Sequence, residues 1–157
     1  MQPSAFLEQL SEDIGIAHQL LELTNAEYQA LAERDLAELE RLLTAKQPLL
    51  ALLSQHSGLR TETLAKLGLT ADLSGLEAFA QQVPAQAEDM LALAAEFEQA
   101  LQSCRDANER NGRQIRANQS SVASILGILQ TDGQSPSLYN SRGGSTKPSP
   151  QRPLSQA

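Results

Sequence analysis

The sequence predicts an all-α protein: an antiparallel helical bundle or coiled-coil hairpin with one long C-terminal helix and a disordered tail. Three observations lead there. Apolar residues make up 41% of the 157, yet there are only two Val, five Ile, three Phe, two Tyr and no Trp, so the residues that favour strands are scarce. Ala, Leu, Glu, Gln and Arg, which lose little side-chain freedom in a helix, dominate instead. Finally, mostly apolar residues recur at steps alternating three and four along three separate stretches, the spacing that keeps one seam turned toward a partner helix. A chain of this length supports one core-bearing domain, expected over 1–130, followed by a tail over 131–157.

The first helix is expected from Ser4 to Glu33. Pro3 and Ser4 suit its start, where a missing N–H is harmless and a hydroxyl can cap. Its seam reads Leu7, Leu10, Ile14, Ala17, Leu21, Thr24, Tyr28, Leu31. Arg34-Asp35 marks a corner, and Asp35 with Glu38 offers a capping box for a second helix. That helix carries Leu36, Leu39, Leu43, Lys46, Leu50 and Leu53 as its seam. Pro48 should kink it or restart it, and Gly58 should close it. The two helices would form an antiparallel hairpin.

Residues 59–83 read as a connector. Leu59, Leu64 and Leu67 suggest a short helix ended by Gly68, and Ser74 with Glu77 a second capping box before Leu76, Phe79 and Val83. Pro84 then opens the longest helix, to about Gln130. Its seam is Met90, Ala94, Phe97, Leu101, Cys104, Asn108, Asn111, Ile115, Asn118, Val122, Ile125, Leu129. Some 46 residues would span roughly 69 Å, against about 45 Å for the first helix, so part of it should extend past the hairpin or pack on something else. Beyond Thr131, Ser, Gly, Pro, Gln and Asn crowd the chain, and so little apolar surface cannot offset the entropy of ordering it.

Composition excludes several functions. The net charge is −7; from Asp132 onward Arg142, Lys147 and Arg152 outweigh that one acid, so residues 1–131 carry −9. An acidic body repels phosphate backbones and anionic lipid, which argues against nucleic acid or a membrane surface as partner. There is no signal-peptide pattern and no membrane-spanning run, and the single Cys104 fits a reducing compartment, so a cytoplasmic protein is expected. No catalytic constellation is visible. His18 and His56 lack the Glu-x-x-His spacing of metal-binding bundles, one Cys and two scattered His make no zinc site, and no glycine-rich phosphate loop follows a strand. Cys104, in the seam, reads as a small core residue. No enzyme activity, metal or cofactor is expected.

What remains is surface. The far half of the long helix, Ile115 to Leu129, is apolar on more than one face through Val122, Ile125, Leu126, Ile128 and Leu129. Such a helix is buried either in its own bundle or against another chain, a second copy included. Asn108, Asn111 and Asn118, with Arg110 and Arg113 around them, form a polar patch in the seam. Seam asparagines fix register more often than they bind ligands. Tyr139, isolated with Leu138 in the polar tail, suits docking into a partner's groove.

These features together resemble the FlgN family. The similarity lies in Asn108-Glu109-Arg110-Asn111-Gly112, an Asn-x-x-Asn-Gly block in a long helix, in the run to Leu126 and Leu129, and in a Tyr-x-x-x-Gly element from Tyr139 to Gly143. Asp35-Leu36-x-x-Leu39 and Lys46 in the second helix agree. Asn140 and the long tail beyond Gly144 depart from the family pattern. The resemblance implies an export chaperone for the hook–filament junction proteins FlgK and FlgL. It implies that a client helix lies on Ile115, Val122, Ile125, Leu126 and Leu129, and that Tyr139 meets the cytoplasmic domain of the export gate. The competing reading is a structural coiled-coil adaptor or homo-oligomer unrelated to secretion.

Overall fold

The computed structural model describes residues 2–134, with side chains for residues 2–130. Four helices follow one another: α1 over Pro3–Glu33, α2 over Leu36–Lys66, α3 over Leu73–Gln82 and α4 over Ala87–Gln134, with a 3-10 turn at Pro84–Gln86. Among the described residues there is no strand, and the fold is all-α as the composition requires. Residues Met1–Arg116 form one compact unit, and the chain from Ala117 belongs to a second.

Pro3 opens α1, with Gln2 rather than Ser4 at the cap position and no side-chain cap bond. The helix stops at Arg34, which takes left-handed torsions (φ 58°) while the Asp35 N–H donates to Ala30 O at 2.9 Å. Asp35 then caps α2, its Oδ1 accepting from the Glu38 N–H at 3.0 Å. The reciprocal half of the box is not made, because Glu38 turns its carboxylate to Arg41, at 2.6 and 2.8 Å. Asp35→Ala should therefore cost about 1 kcal/mol, read as a lower urea midpoint that Asp35→Ser largely restores.

α2 runs unbroken through Pro48 and past Gly58, where the sequence suggested interruptions. Pro48 is exposed, so water can serve the carbonyl its missing N–H leaves free. Gly58 has no atom within 4 Å of where a Cβ would stand, and an interior helical glycine costs only about 1 kcal/mol against Ala. The separate helix expected at Leu59–Leu67 is therefore the end of α2. It closes at Gly68, as expected: φ is 72°, Gly68 N–H donates to Ala65 O at 3.0 Å, and Leu69 N–H to Leu64 O at 2.9 Å. Those two bonds make a Schellman cap.

The cap of α3 is Asp72, not Ser74. Its Oδ1 accepts from the Gly75 N–H at 2.9 Å and the Thr70 hydroxyl at 2.6 Å. The Thr70 bond chiefly, and the Gly75 bond after it, hold the Asp72 carboxyl below its usual range. The sign follows: the ionised cap is fully in place above the ordinary Asp range and is lost only as pH falls through the lowered value. A Cβ at Gly75 would stand 1.7 Å from the Thr70 carbonyl oxygen, so this close approach admits only glycine. Pro84 opens the 3-10 turn, and α4 begins after it.

Within the first unit α1 and α2 are antiparallel, since Asp13 meets His56 while Glu27 meets Lys46. α4 runs parallel to α1, Cys104 meeting Ala17 and Asn111 meeting Thr24. The start of α1, the end of α2, α3 and the start of α4 enclose Phe6, Leu10, Leu64, Phe79, Ala80 and Met90. Phe6 and Phe79 tilt against each other at 5.4 Å between centroids, a favourable aromatic geometry. Because α1 packs on two helices, it buries a second row beyond the expected seam: Phe6, Asp13, Leu20, Glu27 and Ala30. On α2 the inward residues are Leu42, Lys46, His56, Thr63 and Leu64, so Leu42 replaces Leu43 in the core. On α4, Ala107 is buried where Asn108 was expected.

Candidate partner-binding surfaces

The Asn-Gly block is resolved into two roles. Asn111, 4% exposed, donates through Nδ2 to Thr24 O at 2.8 Å and approaches Glu27 Oε2 at 3.5 Å. Lys46 Nζ lies 3.2 Å from the same Oε2 and 3.1 Å from Oε1. Oε1 is buried, has the ion pair, and accepts no hydrogen bond. One residue earlier, Arg110 donates to Asn25 Oδ1 at 3.0 Å and to Asn111 Oδ1, and stacks over the Tyr28 ring at 4.3 Å. Asn111 thus locks α4 to α1 at one register. Asn108 is exposed, and a Cβ at Gly112 would make only ordinary contact with the Arg116 guanidinium at 3.6 Å. Tyr28, expected in the seam, is 37% exposed beneath Arg110.

A second polar cluster escaped the sequence reading. Asp13 is fully buried and accepts from His56 Nδ1 at 2.6 Å and from Arg60. Arg60 also donates to Gln9 at 3.2 Å and lies over the Phe97 ring at 5.5 Å. Every member is held by another, which makes a structural network rather than a reactive centre. Cys104 donates its thiol to Ala17 O at 3.2 Å, and burial pushes its pKa up, the opposite of what a nucleophile needs. Among the described residues, no three His, Cys, Asp or Glu are grouped to hold a metal, and no helix is long and apolar enough to cross a membrane.

The far part of α4 is different in kind. Every residue from Gln119 to Gln130 is exposed. Val122 is 51% exposed, Ile125 and Leu126 53%, Ile128 62% and Leu129 61%; Ile115, in the first unit, is 42% exposed. From Ala117 to Thr131 there is no charged residue. Val122, Ile125 and Leu129 follow at three and four residues and so share a face, which Leu126 and Ile128 widen. So continuous an apolar, uncharged helix surface is more than scattered exposed side chains. The helix runs on through Gln134, so the expected disordered tail over 131–157 is corrected at its first four residues; the rest of that tail, Tyr139 included, lies outside the described residues.

The sequence matches the family described as FlgN protein over residues 1–147. A crystal structure of a flagella synthesis protein FlgN from Pseudomonas aeruginosa is 41% identical, with a TM-score of 0.68, covering 82% of this chain and 98% of that one. Among curated proteins none matches. The all-α fold, the match over nearly the whole chain and the related structure place it: the chain belongs to the FlgN family.

Proposed function

We propose that this protein is a non-catalytic, cytoplasmic export chaperone of flagellum assembly that binds the hook–filament junction proteins FlgK and FlgL and delivers them to the export gate. The observation that carries the reading is the exposed, uncharged apolar surface of α4 from Val122 to Leu129. Subunits that polymerise through apolar helices need those helices covered before assembly. A helix laid along Ile115, Val122, Ile125, Leu126 and Leu129 would bury both apolar faces at once. The buried networks around Asn111 and Asp13 are satisfied within the first unit and offer a client no free polar group.

In the same reading Tyr139 is the contact with the cytoplasmic domain of the gate, an aromatic side chain set in polar sequence and suited to a partner's groove. The purified chain mixed with FlgK or FlgL should elute as a complex; a free chain indifferent to both would instead favour a structural coiled coil. Tyr139→Ala should leave client binding unchanged and weaken gate binding about tenfold, measured by titration against the isolated gate domain. Unchanged gate affinity would remove Tyr139 from the contact.

A further inference from the structure

The first unit carries an apolar surface of its own, and this one is concave. The start of α1, the end of α2, α3 and the first third of α4 leave an open groove of 1010 Å³ between them. Leu10, Leu64, Leu76 and Phe97 line it, and Leu73 and Leu91 stand beside them, 65% and 36% exposed. Along α4 the lining runs from Leu91 to Gln102, three turns of helix or about 17 Å. The rims are acidic: Asp72 and Glu77 on the α3 side and Glu98 on α4 are all exposed. Arg60, the one base among the described lining residues, is already engaged. It pairs with Asp13, donates to Gln9 and lies over the Phe97 ring. The acidity is concentrated here rather than shared evenly along the chain. From Leu67 to Cys104 there are six acids and no Lys or Arg, a net −6 out of the −9 carried by residues 1–131.

We infer that this groove docks an amphipathic helix bearing Lys or Arg, supplied by a protein partner other than the client assigned to α4. Three turns of such a helix match the length of the groove, the helix-in-groove mode of recognition. Its apolar side chains cover Leu73, Leu76, Leu91 and Phe97, and its cations lie against Asp72, Glu77 and Glu98. Charge selects this occupant, because complementary potentials admit a cationic segment and turn away an anionic one. A second copy of the chain would bring net negative charge to a negative rim, and phosphate or anionic lipid is repelled in the same way. The two surfaces therefore differ in kind. The far end of α4 has no charged residue from Ala117 to Thr131 and asks only for apolar cover, whereas the groove also reads the sign of the charge. It lies wholly within Met1–Arg116, so its occupant and the α4 client can be tested separately.

The full chain, titrated at low salt with a Leu/Lys amphipathic helical peptide of about 14 residues, should bind it with a dissociation constant on the order of 10–100 μM. The same peptide with Glu for every Lys should bind about tenfold more weakly or worse. Glu77→Lys and Leu73→Gln, both at exposed positions, should each weaken the Leu/Lys peptide about fivefold or more with circular dichroism unchanged. Glu22→Lys makes the same charge change at an exposed α1 position outside the groove and should alter binding by less than about twofold. Equal losses in Glu77→Lys and Glu22→Lys would reduce the effect to the acidity of the whole chain and overturn the site. Binding that survives Leu73→Gln unchanged, or that is as strong for the Glu peptide, would overturn it too. Displacement of the Glu77-sensitive peptide by FlgK would overturn the separate partner and give the groove to the client.

Discussion

Replacing both Leu126 and Leu129 with Asp should lower affinity for FlgK or FlgL by about 100-fold or more while the circular dichroism of the free chain stays unchanged. The two leucines are 53% and 61% exposed, so the free protein loses little packing, and an unfolding midpoint within about 0.5 kcal/mol of wild type is expected. The cost falls on the complex. Each leucine would contribute about 1–2 kcal/mol by completing its burial against a client helix, and each aspartate would instead have to be desolvated there. The neighbouring Ile115 supplies a graded control: at 42% exposure and away from the most exposed stretch, Ile115→Ala should weaken capture only several-fold. Retained client affinity in the double variant, by calorimetry, would remove the assignment.

Lys46→Met should destabilise the first unit by about 3–5 kcal/mol, measured by urea unfolding. The Lys46 and Glu27 side chains are 11% and 7% exposed. Removing the ammonium strands a carboxylate that already has one oxygen without a hydrogen bond and only Asn111 beside the other. The pair itself need not be strongly stabilising, since its desolvation offsets much of its attraction. Glu27→Leu with Lys46→Met should therefore recover most of the loss, and such recovery separates a stranded charge from simple loss of packing.

The helices were legible because their causes are local: composition, alternating leucine steps, Asp35 at a corner, Gly68 at an end. What went wrong went wrong where tertiary context overrides local preference. Gly58 and Pro48 lie on the solvent side of α2, where a flexible residue or a missing N–H costs little, so neither broke the helix. Ser74 lost the cap of α3 to Asp72 because Thr70 and the narrow approach at Gly75 fix that turn in space. The seams slipped by a residue at Leu42 and Ala107, since α1 packs on two neighbours and draws inward residues from two rows.

The buried charges were missed for a related reason. A search for apolar spacing passes over Asp13 and Glu27, although Glu27 with Lys46 and Asp13 with Arg60 share one midpoint just past the Arg34–Asp35 corner, as pairs meeting across a single hairpin do. Asn111 was legible as a register device; that its partners are Thr24 and Glu27 was not. The apolar end of α4 was legible as surface needing cover, but periodicity alone left open whether the cover was the chain's own bundle. Its exposure over Gln119–Gln130 is what the sequence could not supply.

Amide hydrogen exchange of the full chain, alone and with FlgK added in excess, tests the client surface most directly. Amides from Gln119 to Gln130 should exchange readily in the free chain and slow by at least about tenfold with FlgK bound, while those flanking Thr24 and Lys46 stay equally protected in both states. Bound FlgK that leaves Gln119–Gln130 unprotected, or that protects α2 in its place, would contradict the assignment of the far end of α4 to the client.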